Sequence, residues 1–187
     1  MSALYHVIIA GGSGSRFWPK SREDKPKQLI KIIKNKTMIR LTFERINKFA
    51  NSNKIIIIAS KKLSAKIKKE IPEIPKENFI IEPSAKNTAP AIGLAAIHIL
   101  KRNKNSLMAI YPSDHLIDGD YEFQDTIKNS EKLIKQKSCL VTIGVRPTYP
   151  AVGYGYIYHE QSIEKSKKFK IISFTEKPSL AKAKKFI

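Results

Sequence analysis

Cysteine is nearly absent from this 187-residue chain, with Cys139 as its single representative. That excludes an internal disulfide and any cysteine metal cluster. Cys139 lies in the apolar run Cys139-Leu140-Val141-Thr142-Ile143, where a buried, inert thiol is expected. Long hydrophobic stretches are missing as well. Nothing approaches the roughly 18 consecutive apolar residues of a membrane span, and residues 7–10 are too short for a signal-peptide core. A cytoplasmic protein with no membrane partner is the expectation. Acidic residues are scarce: 16 Asp and Glu face 35 Lys and Arg, a formal charge of +19. Such an excess raises the question of nucleic acid. The basic residues are spread over every polar segment, however, and neither a helix-turn-helix, a zinc finger nor an aromatic-and-basic RNA signature is present. No nucleic-acid partner is therefore expected, although a basic nucleic-acid binder remains the rival reading of a different class.

What is present suffices for one domain with a hydrophobic core, since 42% of the residues are apolar. Residues 4–10 are apolar without alternation, as in a strand buried on both faces, and the glycine-, serine- and proline-rich stretch 11–22 ends it. Thr37 can cap a helix with a face of Ile39, Thr42, Phe43, Ile46 and Phe49. Residues 54–59, 79–82 and 107–111 read as further strands, 90–100 and 121–135 as helices, 139–144 and 169–175 as the last strands, and 179 onward as a helix start. Pro90 belongs in a first helical turn, where its missing amide is harmless. Strands alternating with helices at this spacing predict an α/β fold: a doubly wound, mostly parallel mixed sheet with helices on both faces, Rossmann-like, formed by residues 1–187 as one domain. Ligands of such sheets sit beyond the carboxyl ends of the strands. Four polar or glycine-rich segments of this chain fall at such ends.

The first is Gly11-Gly12-Ser13-Gly14-Ser15-Arg16. Residues without Cβ let backbone amides close on a polyphosphate, and an arginine adds a fork of donors. It is not a dinucleotide fingerprint, because Phe17 stands where the third glycine would be, and no Gly-Lys-Ser/Thr follows to make a Walker loop. Read alone, it is equally a glycine turn. The string continues through Phe17-Trp18-Pro19-Lys20-Ser21-Arg22 to Pro26-Lys27-Gln28. Further on come Glu82-Pro83, Asn87-Thr88-Ala89-Pro90-Ala91, Pro112-Ser113-Asp114-His115, Gly153-Tyr154-Gly155-Tyr156-Ile157 and Glu176-Lys177-Pro178.

In that order these segments resemble the bacterial mannose-1-phosphate guanylyltransferases, a family of sugar-1-phosphate nucleotidyltransferases, over nearly the whole chain. Ser15, Phe17 and Ser113 depart mildly from the family's threonine, leucine and alanine. The resemblance implies the nucleotide-diphospho-sugar transferase fold and transfer of GMP from GTP to mannose-1-phosphate with Mg²⁺. It implies that Gly11, Gly12, Ser13, Gly14, Ser15 and Arg16 wrap the GTP phosphates, with Ser113 nearby, and that Lys27 reaches the α-phosphate. Arg16, Lys27 and Asp114 become the expected catalytic set, with Asp114 the metal ligand. Asn87 and Thr88 become base-recognition residues, although they equally suit a helix cap. Gly153, Gly155, Glu176 and Lys177 would take the sugar phosphate, a surface ion pair being the plain reading of the last two. His115 is expected to make a structural hydrogen bond. Family members are longer, with an Asn-Ser-Gly-Met-Phe segment, a second metal carboxylate and a β-helical or cupin-like module. Weak turnover and either a homo-oligomer or a completing partner chain are expected. An inactive remnant or nucleotide-binding module, and another sugar-1-phosphate nucleotidyltransferase, are the remaining alternatives.

Overall fold

The computed structural model describes residues 3–11, 17–22, 26–33, 35–160 and 168–187. It divides into two compact units, Met1–Cys139 and Leu140–Ile187. In the first unit a four-stranded parallel sheet is built from β1 (Leu4–Ile9), β4 (Ile55–Ala59), β5 (Phe79–Ile81) and β6 (Leu107–Pro112). A short antiparallel pair, β2 (Lys31–Ile33) and β3 (Lys36–Thr37), precedes β4. Helices α1 (Met38–Asn47), α2 (Lys61–Glu70), α3 (Thr88–Arg102) and α4 (Asp120–Lys137) complete the unit.

Burial on both faces explains the apolar runs. Ile55, Ile56, Ile57 and Ile58 are all fully buried, yet they serve two cores. Ile8, Ile55, Ile57 and Phe79 point to the face covered by α1, α2 and α4, through Ile39, Phe43, Leu63, Ile67 and Ile127. Their sequence neighbours Val7, Ile56, Ile58 and Ile80 point to α3, through Ala91, Ala95 and Ile99. The period of two in the strands divides them between the faces, and each large side chain so buried contributes about 1.5–3 kcal/mol. Thr37 caps α1 as expected, its Oγ1 accepting from the Arg40 amide at 3.2 Å.

The spatial order β5-β4-β1-β6 sets the position of the site. The chain runs outward from β1 to β4 and β5, then crosses by α3 on the opposite face and returns to the other side of β1 as β6. β1 and β6 therefore flank the point where strand order reverses, and a crevice opens beyond their carboxyl ends.

The second unit holds an antiparallel pair, β7 (Gly155–His159) with β8 (Ile171–Glu176), and α5 (Leu180–Lys184), capped by the Ser179 hydroxyl. Two expectations are corrected here. The strand over residues 139–144 does not form, and Leu140 and Val145 are fully or almost fully exposed. A strand needs a neighbour for its backbone groups, and no described residue pairs with this stretch. Cys139, on the same segment, is consequently half-buried rather than buried. Three features went unread, among them β7, whose glycine and tyrosines form no apolar run. α2 is so rich in lysine that its narrow buried stripe of Leu63, Ser64 and Ile67 is hard to see, and the β2–β3 pair is too short to show a period.

Candidate nucleotide-transfer site

Gly11 lies just past β1, and Ser113 and Asp114 lie just past β6. The Ser113 amide donates to the Ile9 carbonyl at 3.2 Å and its own carbonyl accepts from Thr42 Oγ1 at 3.4 Å, so the loop is fastened to β1 and α1 and Ser113 is buried. Pro26, at φ −65°, starts a single 3-10 turn, Lys27–Leu29. Within it Gln28 is fully buried and its Nε2 donates to the Gly11 carbonyl at 2.6 Å. That bond holds Lys27 at the switch point, where its ammonium forms a half-buried ion pair with the Asp114 carboxylate. Two residues chosen from the sequence on separate grounds, 87 positions apart, are thus brought together. Gln28 is the functional residue that sequence reasoning left without a role. Its place beside Lys27 in Pro26-Lys27-Gln28 was the available signal.

Past β4 and β5 the crevice widens into a cavity of about 700 Å³ lined by Gly11, Trp18, Arg22, Lys62, Lys66 and Glu82 among others. Asn87 follows, at φ 65° and ψ −166°, a region that only glycine enters without strain. Asn87 is the N-cap position of α3, but its side chain makes no capping hydrogen bond, and residues 84–90 are all exposed. The amide side chain and the first amides of a 15-residue helix are therefore open to a ligand, with the helix dipole favouring an acceptor there. Thr88 is the first residue of that helix.

In the second unit, Gly155 pairs with Glu176 across β7 and β8, and a Cβ at Gly155 would stand 2.7 Å from Glu176 Oε2. Glu176 and Lys177 form an exposed ion pair at 2.7 Å, a contact worth little for stability. Lys177 adopts φ 42°, and its amide donates to the Tyr154 carbonyl at 3.1 Å, which turns the chain at the end of β8. Gly153 is exposed in the segment just before β7. Gly12, Ser13, Gly14, Ser15 and Arg16 lie outside the described residues. Among the described residues His115 is met at its backbone carbonyl, which accepts from Arg45 at 3.5 Å.

Residues 5–187 match the nucleotidyl transferase family. The chain belongs to that family. It is 36% identical over its full length to a mannose-1-phosphate guanylyltransferase of Escherichia coli, of which it covers 41%. It is also 36% identical to the enzyme of that name from Salmonella montevideo, covering 39% of it with 97% of its own residues. The chain thus spans about two fifths of the length of these curated relatives. The solved structure of a mannose-1-phosphate geranyltransferase from Thermus thermophilus superposes with a TM-score of 0.88 at 27% identity, over 98% of this chain and 52% of that one. The α/β sheet with helices on both faces is therefore the nucleotide-diphospho-sugar transferase fold. No helix among the described residues is long and apolar enough to cross a membrane.

Proposed function

We propose that this chain carries out, or supplies the nucleotide-side machinery for, transfer of GMP from GTP to mannose-1-phosphate, giving GDP-mannose and pyrophosphate. The observation that carries the reading is the meeting of Lys27 and Asp114 at the switch point of a nucleotidyl transferase sheet. A phosphate oxygen of mannose-1-phosphate attacks the α-phosphorus of GTP in line. The bond from that phosphorus to the bridging oxygen breaks, and pyrophosphate leaves with the electron pair. The nucleophile is already ionised, so no general base is required, and the protein's work is to hold two anions together and offset the charge on the leaving group.

Lys27 is the donor for that charge, held in place by the Gln28 bond to Gly11. Removing a preorganised donor of this kind raises a barrier by about 3–4 kcal/mol. In the same reading Gly11 through Arg16 wrap the triphosphate, Ser113 borders it, Asn87 and Thr88 face the base, and Gly153, Gly155, Glu176 and Lys177 take mannose-1-phosphate. Asp114 is a single hard carboxylate, and no group of three metal-ligating side chains occurs among the described residues. That donor set suits Mg²⁺ shared with substrate phosphates, not a cage made by protein alone. Bound there, the ion would neutralise phosphate charge. Both substrates are charged phosphates that cross no membrane unaided, so the reading implies a cytoplasmic protein.

The test is pyrophosphate release from GTP, mannose-1-phosphate and Mg²⁺, beside GTP binding, for the wild-type chain, Lys27→Ala and Asp114→Asn. Turnover falling at least about 100-fold in each variant is the expected result. The second reading is a nucleotide-binding module that uses the same loops without turnover. GTP binding lost in Lys27→Ala, with no pyrophosphate from wild type, selects that reading. Binding and turnover indifferent to both substitutions would overturn the assignment of these residues.

A further inference from the structure

Helix α1 packs Ile39, Phe43 and Ile46 into the larger core, and two polar side chains of the same helix, Thr42 and Arg45, are buried as well. Burying a hydroxyl or a guanidinium is costly unless each finds a partner, and a helix that had only to cover the sheet would do so with apolar residues at both positions. The partners of these two side chains lie on one short loop. Thr42 Oγ1 donates to the Ser113 carbonyl at 3.4 Å, and Arg45 Nη1 donates to the His115 carbonyl at 3.5 Å. Between those two residues stands Asp114. One turn of α1 therefore grips the loop on either side of the carboxylate that pairs with Lys27, while the Ser113 amide ties the same loop to the Ile9 carbonyl on β1.

Arg45 makes no ion pair among the described residues: Asp118 and Asp120 act on it through space, and its guanidinium lies 5.8 Å from the centre of the Phe123 ring. Its Nε is buried without a partner. A buried charge lacking a counter-ion is a poor device for stability, since an apolar side chain of the same size would serve the core better. It is a good device for fixing a carbonyl, because a hydrogen bond from a charged donor is stronger than a neutral one. A carboxylate that meets an ammonium on one loop and shares a cation with a ligand works only where its backbone is held still. We propose that Thr42 and Arg45 are the positioning residues of Asp114: they touch no substrate, and by holding the carbonyls of the residues before and after it they keep its carboxylate at the switch point. The proposal rests on the reading of Asp114 as the group that shares Mg²⁺ with the nucleotide phosphates, and it gives α1 a part in that site.

The test is equilibrium binding of GTP, with Mg²⁺ and with EDTA, to the wild-type chain, Thr42→Val, Arg45→Met, Asp114→Asn and the two double variants that include Asp114→Asn. Valine keeps the shape of Thr42 without its donor, and methionine keeps the stem of Arg45 without its charge. The gain in affinity from Mg²⁺ is expected to fall about 5- to 10-fold in Thr42→Val and in Arg45→Met, while affinity in EDTA changes by less than about 2-fold. In the Asp114→Asn background neither substitution should lower the gain further, because a residue that acts through Asp114 has nothing left to position. Thr42→Ser keeps the donor and should keep the wild-type gain. A structural role alone predicts another pattern: a lower melting temperature, affinity lost equally in Mg²⁺ and EDTA, and effects that add to that of Asp114→Asn. That pattern, or a gain unaltered in Thr42→Val and Arg45→Met, overturns the proposal and leaves the transferase reading intact. Should Arg45→Met fail to fold, Thr42→Val decides, with Thr42→Ser as its control. A wild-type chain that binds no GTP, or whose affinity gains nothing from Mg²⁺, overturns the reading of Asp114 and the proposal with it.

Discussion

His6, on β1 at the end of the sheet away from the glycine loop, should make the stability of this chain fall steeply with acid. It is 4% exposed, its Nδ1 lies 2.8 Å from the Tyr111 hydroxyl, and its ring packs edge-on against Phe49 and stacked against Tyr111. Burial lowers its pKa from 6.5 to about 4, against a weaker upward pull from Glu131. Burial likewise pushes the Tyr111 phenol up, so that hydroxyl keeps its proton throughout. Between these two values the unfolded chain holds a proton on His6 that the folded chain does not. The contribution to stability is thus complete above about pH 6.5 and lost as the pH falls towards 4. At 1.36 kcal/mol per unit, the loss amounts to about 2 kcal/mol by pH 5 and about 3 kcal/mol by pH 4. Urea unfolding at several pH values, for wild type and His6→Phe, measures it. The phenylalanine keeps the ring packing and leaves the Tyr111 hydroxyl unpaired, a pH-independent cost of about 1–3 kcal/mol. Background carboxylates titrate equally in both proteins, so the difference isolates His6. Parallel stability curves for the two proteins between pH 7 and pH 4 would refute the reasoning.

Phe43, 1% exposed in the larger core, should cost about 3–5 kcal/mol as Phe43→Ala in urea unfolding, whereas Ile97→Ala, at a residue 54% exposed, should stay within about 0.5 kcal/mol. Asn87→Gly relieves the φ of 65° and should raise the unfolding free energy by about 1 kcal/mol, with a higher melting temperature. The same variant should weaken GTP binding, and unchanged affinity would remove Asn87 from the site. Gly155→Ala brings a Cβ within 2.7 Å of Glu176 Oε2, but that carboxylate is the tip of an exposed side chain and can swing away. Folding should therefore change by less than about 0.5 kcal/mol while the KM for mannose-1-phosphate rises.

Much of the architecture was legible because it rests on local patterns. Apolar runs ending at glycine or proline located β1, β5 and β6, the isoleucine run located β4, and the Thr37 cap with its apolar face located α1. Which of their side chains meet which helices was not legible, because both faces of these strands are apolar and no alternation marks them. Where the local pattern was diluted, reading failed. Lysines hid α2, and the apolar segment at residues 139–144 resembled a strand although no neighbour pairs with it among the described residues. Strand formation is a property of two segments, so one segment's composition cannot decide it.

At the site, residue order is enough to place particular types at strand ends: a glycine loop, a lysine between proline and glutamine, and an aspartate after an apolar run. It determined that these suit phosphates. That Lys27 and Asp114 touch, and that buried Gln28 ties one loop to another, emerges from the folded chain. The physical reason lies in the order β5-β4-β1-β6. The reversal at β1 brings the ends of the first and fourth sheet strands together, and that return across the sheet arises from packing α3 on the face opposite α1 and α2.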